Sequence, residues 1–138
     1  MHYDDDYVLC ECELEPLESL VRSLENDYEV VIVKAPSVCL TMIRTEDSLE
    51  KQEFYLGEAL TTECEVKVNG TPGYGVCLGE ESVRSYSIAV MDALLHQGGT
   101  PAVSGFLEQQ RAAIQEREER EFHLTLRTQV DFKLMEEE

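Results

Sequence analysis

Positive charge is what this sequence has least of. Lys and Arg together number 11 against 29 Asp and Glu, a formal net charge of −18 over 138 residues. Affinity for DNA or RNA comes largely from cations on phosphates, so the chain alone is a poor nucleic-acid binder. The same deficit disfavours anionic membrane surfaces. Long apolar runs are missing too, and nothing approaches the roughly 20 residues of a membrane span. The acidic stretch Met1 to Asp6 does not read as a signal peptide. Paired metal ligands are also lacking. Cys10-x-Cys12 is the tightest thiol pair, and Cys39, Cys64, Cys77, His2, His96 and His123 offer no second pair at zinc spacing. Five cysteines, an odd count, fit reduced thiols in a cytoplasmic protein. No recognisable signature places a cysteine beside a histidine as a nucleophile. There is neither a dinucleotide fingerprint nor a P-loop lysine. No internal repeat is visible. No catalytic residue, metal ligand or cofactor-binding residue is therefore assigned.

What is present suffices for one packed domain over residues 1–138, with acidic frayed ends at 1–3 and 136–138. Hydrophobic residues make up 43% of the chain, and a chain of this size buries roughly two thirds of its unfolded surface.

Residues 4–25 read as helical, with Asp4, Asp5 and Asp6 suited to a first turn. Pro16 sits in the first turn of a second helix. Leu17, Leu20, Val21 and Leu24 form one apolar face of it. Val30 to Val33 read as a buried strand ended by Pro36. Val38, Leu40 and Met42 alternate as a second strand. Residues 45–52 read as a charged turn, and Phe54–Leu56 as a strand interrupted by Gly57. Residues 60–78 form a hairpin about a loop at 69–73, pairing Val68 with Tyr74, Val66 with Val76 and Cys64 with Leu78. That register puts Cys77 on the opposite face from Cys64 and argues against a bridge between them. A helix follows over 82–97, stopped by Gly98-Gly99 and Pro101. A long helix covers 103–127, with i,i+4 pairs Glu116–Arg120 and Arg117–Glu121 on its surface. Val130, Phe132 and Leu134 alternate as a short terminal extended segment. The fold class is α+β: N-terminal helices, an antiparallel sheet of about four to five strands, one crossing helix and a long C-terminal helix.

Two features invite a chemical reading. Gly73, Gly75 and Gly79 precede the helix at 82, the order in which anions meet helix N-termini. Glu80 and Glu81 would repel a phosphate there, so turn glycines with dipole contacts are the preferred reading. Asp92 and Asp131 are carboxylates that could pair, although many others compete, and an exposed or hydrogen-bonded role is the expectation for each.

From Phe54 to Leu95 the sequence resembles the PhnG family, small subunits of the bacterial carbon–phosphorus lyase system. The resemblance is carried by Phe54, by Leu56-Gly57-Glu58-Ala59-Leu60-Thr61, by Val66 and Val68, and by Gly73-Tyr74 and Gly79. Ala89 and Asp92-Ala93-Leu94 follow, then Thr128, Val130-Asp131-Phe132 and Met135 near the end. Leu17–Leu24 and Tyr28-Glu29-Val30 fall in compatible order, so the resemblance covers most of the chain. It implies a subunit acting with PhnI-, PhnH- and PhnL-like proteins. Together these attach an alkylphosphonate to ribose C1 of ATP with release of adenine. A PhnJ-like radical enzyme acts later within the same core complex. In the family the nucleosidase-type chemistry belongs to PhnI, and Mg-ATP is used by the complex. The isolated chain is then an inactive accessory subunit. The family's basic residues after the glycine at 79 are replaced here by Glu80, Glu81 and Ser82, a departure that removes an anion-handling role from that loop. Val130, Phe132 and Leu134 are the candidate anchors for the PhnI-like partner, ordinary packing on the sheet being the other reading. The competing functions are a stand-alone acidic binding module and a metal-dependent hydrolase using Asp, Glu and Cys ligands.

Overall fold

The computed structural model describes residues 3–46, 49 and 52–136. Helices α1 (Tyr3–Glu11) and α2 (Leu14–Asp27) come first, then strands β1 (Val30–Glu46), β2 (Glu53–Val68) and β3 (Thr71–Leu78), and finally α3 (Ser82–His96) and α4 (Pro101–Glu136). The α+β layout expected from the sequence is the one observed. The two acidic ends lie largely outside the described residues, with Tyr3 opening α1 and Glu136 closing α4.

The strands form one antiparallel sheet in the order β1-β2-β3. It contains three long strands because two pairs of expected strands run together. Pro36 does not end β1. The register shifts around Lys34 and Ser37 absorb it, and an edge strand tolerates a proline that lacks a ladder donor. Gly57 likewise lies within β2, opposite Ile43 where the register shifts again. Of the expected turn at 45–52, residues 47, 48, 50 and 51 lie outside the described residues.

The hairpin register differs from the expected one by three residues. Val68 faces Thr71, Val66 faces Gly73 and Cys64 faces Gly75. The turn is the two residues Asn69 and Gly70, at φ 48° and 85°. Positive φ at both positions is the tight turn whose twist matches the flanking strands, and Asn-Gly is its preferred sequence. Thr71, Pro72 and Gly73 therefore belong to the strand. The shift is odd, so β3 is turned over. Gly73, Gly75 and Cys77 face the helices, Tyr74 and Leu78 face outward, and Cys77 shares its face with Cys64. Both thiols are buried and unbridged.

The core lies between that sheet face and the helices. Val66, Val68 and Cys64 from β2 meet Ile88, Ala89, Val90 and Leu94 of α3. Leu17, Val21 and Leu24 of α2 and Val8 and Leu9 of α1 close one side. Val103, Phe106, Leu107 and Ile114 seat the first part of α4. Gly98 and Gly99, at φ 100° and 74°, break the chain between α3 and α4. The expected extended segment is absent: Val130, Phe132 and Leu134 lie on the helical backbone of α4. No glycine or proline interrupts the sequence between Phe106 and Glu138, so nothing stops the helix at 127. The side chains of these three residues lie outside the described residues, and so does the interface expected of them.

Candidate functional site

The contact between α3 and β3 is built from small residues. Gly73 and Gly75 lie against the helix stripe Ser85, Ala89 and Ala93. A Cβ at Gly75 would stand 2.1 Å from the Ser85 carbonyl oxygen, and one at Gly73 would stand 2.1 Å from that of Ala89. These glycines let the helix backbone rest on the strand backbone and form no anion cradle. Gly79, at φ 81°, makes the turn before α3. There the Thr62 hydroxyl accepts the Glu81 amide at 3.1 Å and donates to the Gly79 carbonyl at 2.6 Å. The loop amide that could have met an anion is thus already engaged.

Close seating of α3 brings Asp92 to the outer edge of β3. Its Oδ2 accepts the Tyr74 backbone N–H at 3.0 Å and lies 3.7 Å from His96 Nδ1. The same ring nitrogen is 3.3 Å from the Pro72 carbonyl oxygen. Asp92 is buried, and it satisfies a backbone donor that the sheet's edge would otherwise leave unpaired. It therefore packs and orients the helix; the side chain of Asp131, the carboxylate considered as its partner, lies outside the described residues. Around it is a cleft of about 390 Å³ lined by Val33, Lys67, Pro72, Tyr74, Asp92 and His96, among others, with no serine, threonine or cysteine in its wall. Burial and the adjacent Glu63 carboxylate hold the Tyr74 phenol up at about 12. Among the described residues the cleft thus has a carboxylate committed to the backbone, a histidine resting on a carbonyl and no hydroxyl or thiol of Ser, Thr or Cys. Asp92→Ala is expected to leave the Tyr74 N–H unsatisfied and to cost about 2 kcal/mol of unfolding free energy. Asp92→Asn keeps an acceptor and should lose less than half of that. Denaturant midpoints of the two variants check the comparison.

Cys10, Cys12, Cys64 and Cys77 are not poised for chemistry. Burial pushes the thiols of Cys10, Cys12 and Cys64 up, and it raises Cys77 to about 11 with help from the Glu81 charge. A nucleophilic thiol requires the opposite shift. Cys10 and Cys12 diverge: Cys10 is exposed and its thiol points at the Val76 carbonyl oxygen, whereas Cys12 is buried near Arg84. Among the described residues no group of three or more His, Cys, Asp or Glu side chains could hold a metal ion. No described helix is long and apolar enough to cross a membrane.

Apolar surface is what the molecule does display, and the sequence reading missed most of it. The helices cover only part of the sheet. Ile32, Val38, Leu40 and Met42 of β1 and Leu60 of β2 point to the helix-bearing face beyond their reach and are about half exposed. In α4 every residue from Glu118 to Thr128 is exposed, including Phe122, Leu124 and Leu126. The alternation at 38–42 was legible in the sequence. That none of the described residues would cover it was not.

The family model described as phosphonate metabolism protein PhnG matches residues 7–136 of the chain. No curated protein matches it.

Proposed function

The chain belongs to the PhnG family of phosphonate metabolism proteins, and from that premise we propose that it is a non-catalytic subunit of a carbon–phosphorus lyase core complex. In this role it supports transfer of an alkylphosphonate to ribose C1 of Mg-ATP, with adenine as the leaving group. Its direct partner is the PhnI-like subunit, with PhnH-, PhnJ- and PhnL-like subunits in the same machinery. The reaction belongs to the cytoplasm, where ATP and reduced thiols coexist.

One observation carries the accessory role beyond family membership. Asp92 and Arg84 are engaged by the backbone and Cys12, Cys64 and Cys77 are buried, while large apolar side chains stand in water on β1, β2 and α4. A contiguous exposed apolar patch of more than a few hundred Å² marks an interaction surface. The charge balance agrees. Mg-ATP and a phosphonate are anions, and a chain at −18 is a poor sole binder for them. Such a chain is suited to a basic partner face, where complementary charge raises association rate and specificity. Val130, Phe132 and Leu134, near the end of α4, remain proposed anchors for the PhnI-like subunit.

The test is co-expression with the cognate PhnI-like subunit followed by size-exclusion chromatography and an adenine-release assay. The expected result is one co-eluting complex, with phosphonate-dependent release of adenine from ATP lost when this chain is omitted. Separate elution with adenine chemistry unchanged would overturn the reading and leave a stand-alone acidic binding module.

A further inference from the structure

We infer that the uncovered half of the helix-bearing sheet face seats a cationic amphipathic helix supplied by the partner subunit. The inference rests on the subunit reading above and adds the surface and the chemistry of its occupant.

The surface begins in a groove of about 350 Å³ between α2, the start of α3 and β1, floored by Val21, Ile32, Pro36 and Val83. Ile32 pairs with Val66, Val38 with Thr62, Leu40 with Leu60 and Met42 with Glu58. All four β2 partners are even-numbered, so the apolar side chains share the face on which α2 and α3 pack. The groove floor thus continues as a strip along Val38, Leu40, Leu60 and Met42. The exposures of these four are 44%, 63%, 47% and 54%, against 0% for Thr62 and 1% for Val66 farther back on the same face. The sheet is therefore half of a two-layer unit whose helix layer is incomplete. A helix laid beside α2 and α3 would complete it, as amphipathic helices do in apolar grooves.

The rim fixes the charge of that helix. Glu18 and Glu25 border the groove, and Glu58 stands opposite Met42. Arg22, which also lines the groove, is paired with Glu18, so the charge left over on the rim is that of Glu25, with Glu58 beyond it. Glu25 accepts the Tyr86 hydroxyl at 2.8 Å, which holds its carboxylate at the groove edge. An apolar face flanked by Lys or Arg matches this rim. A second copy of the chain does not, because it brings a further −18 to the contact.

The test uses the full chain with the co-expressed PhnI-like subunit. Leu40→Glu/Leu60→Glu places two charges in the middle of the strip, at positions outside the buried core. The variant should keep the wild-type melting profile and bind the partner at least thirtyfold more weakly. Glu18→Gln/Glu25→Gln should weaken binding about tenfold and flatten its dependence on salt, since salt screens the charged contacts and two of them are gone. If the wild type co-elutes and Leu40→Glu/Leu60→Glu co-elutes equally well, the surface is wrong while the subunit reading stands. If the Gln variant keeps wild-type affinity and salt slope, the occupant is not cationic. If the wild type does not co-elute, both readings fall. If the chain alone is a dimer that Leu40→Glu/Leu60→Glu separates, the seat belongs to a second copy and the inference is overturned.

Discussion

Gly75→Ala is expected to destabilise the protein by about 3 kcal/mol, the upper end of the usual cost of overpacking. The added methyl would meet Ser85 O at 2.1 Å, Ala89 N at 2.6 Å and Ser85 C at 3.1 Å. All three are main-chain atoms of α3, so no side chain can swing aside. Relief requires the helix to lift from the sheet, and α3 carries the buried residues that hold the two layers together. Gly73→Ala meets the next turn of the same helix, at the oxygen of Ala89 and the Cβ of Ala93. The two glycines act on one rigid contact. The double variant should therefore show no cooperative unfolding transition, given total stabilities on the order of 5–15 kcal/mol. Gly57→Ala is the control. It also lies in a strand, with nothing within 4 Å of its added Cβ, and should change stability by less than about 0.5 kcal/mol. Guanidinium midpoints of the four variants test the set. Equal effects at 57 and 75 would mean that glycine flexibility, not close approach, governs these positions.

The same glycines show what the sequence can and cannot convey. Leu17, Val21 and Leu24 announce their helix because one element's periodicity is enough to place them. Val83, Tyr86, Val90 and Leu94 do the same for α3. Gly73 and Gly75 read as turn formers, with an anion loop as the lesser reading, and nothing in the sequence marks them as a helix seat. Only the register decides, and the register rests on which part of Asn69-Gly70-Thr71-Pro72-Gly73 makes the turn. Five turn-forming residues in a row hide a turn of two. The run-on of β1 through Pro36 was hidden for a related reason. A proline forbids a central strand and permits an edge, and edge position is a property of the sheet, not of the segment. The last turns of α4 were misread because Val130, Phe132 and Leu134 alternate at period two, while the helix needs only the absence of a breaker. Asp92 was legible as an exposed or hydrogen-bonded carboxylate. Its partner, a backbone N–H of an edge strand, has no sequence signature at all.

Arg84→Met is the second large effect, expected at about 3 kcal/mol, since it breaks a buried charged network while keeping the aliphatic stem. Arg84 is buried. Its Nη1 donates to the Leu9 carbonyl oxygen at 3.0 Å and the Cys12 carbonyl oxygen at 2.8 Å. Its Nε donates to Glu81 Oε1 at 3.3 Å. The carbonyls at the end of α1 have no partners within that helix, and a guanidinium there meets both the hydrogen-bonding need and the negative end of the helix dipole. Methionine would leave the Cys12 oxygen without the guanidinium and the Leu9 oxygen with only the Cys12 thiol, at 3.6 Å. The loss should be local before it is global. Amides of 3–11 should gain hydrogen exchange, and the Cys12 thiol, 3% exposed in the native chain, should become open to a thiol reagent. Arg84→Lys, with one point charge in place of a planar fork, should recover less than half of the stability. If Arg84→Met melted like the wild type with Cys12 still protected, α1 would be held by Val8, Leu9 and its ion pairs to α4, Asp5–Arg111 and Glu11–Arg117, and Arg84 would be free to meet a ligand. Its engagement with α1 therefore bears on function as well as on folding. The first cation after Gly79 is turned inward to fasten a helix, which leaves Glu80 and Glu81 to set the charge of that loop.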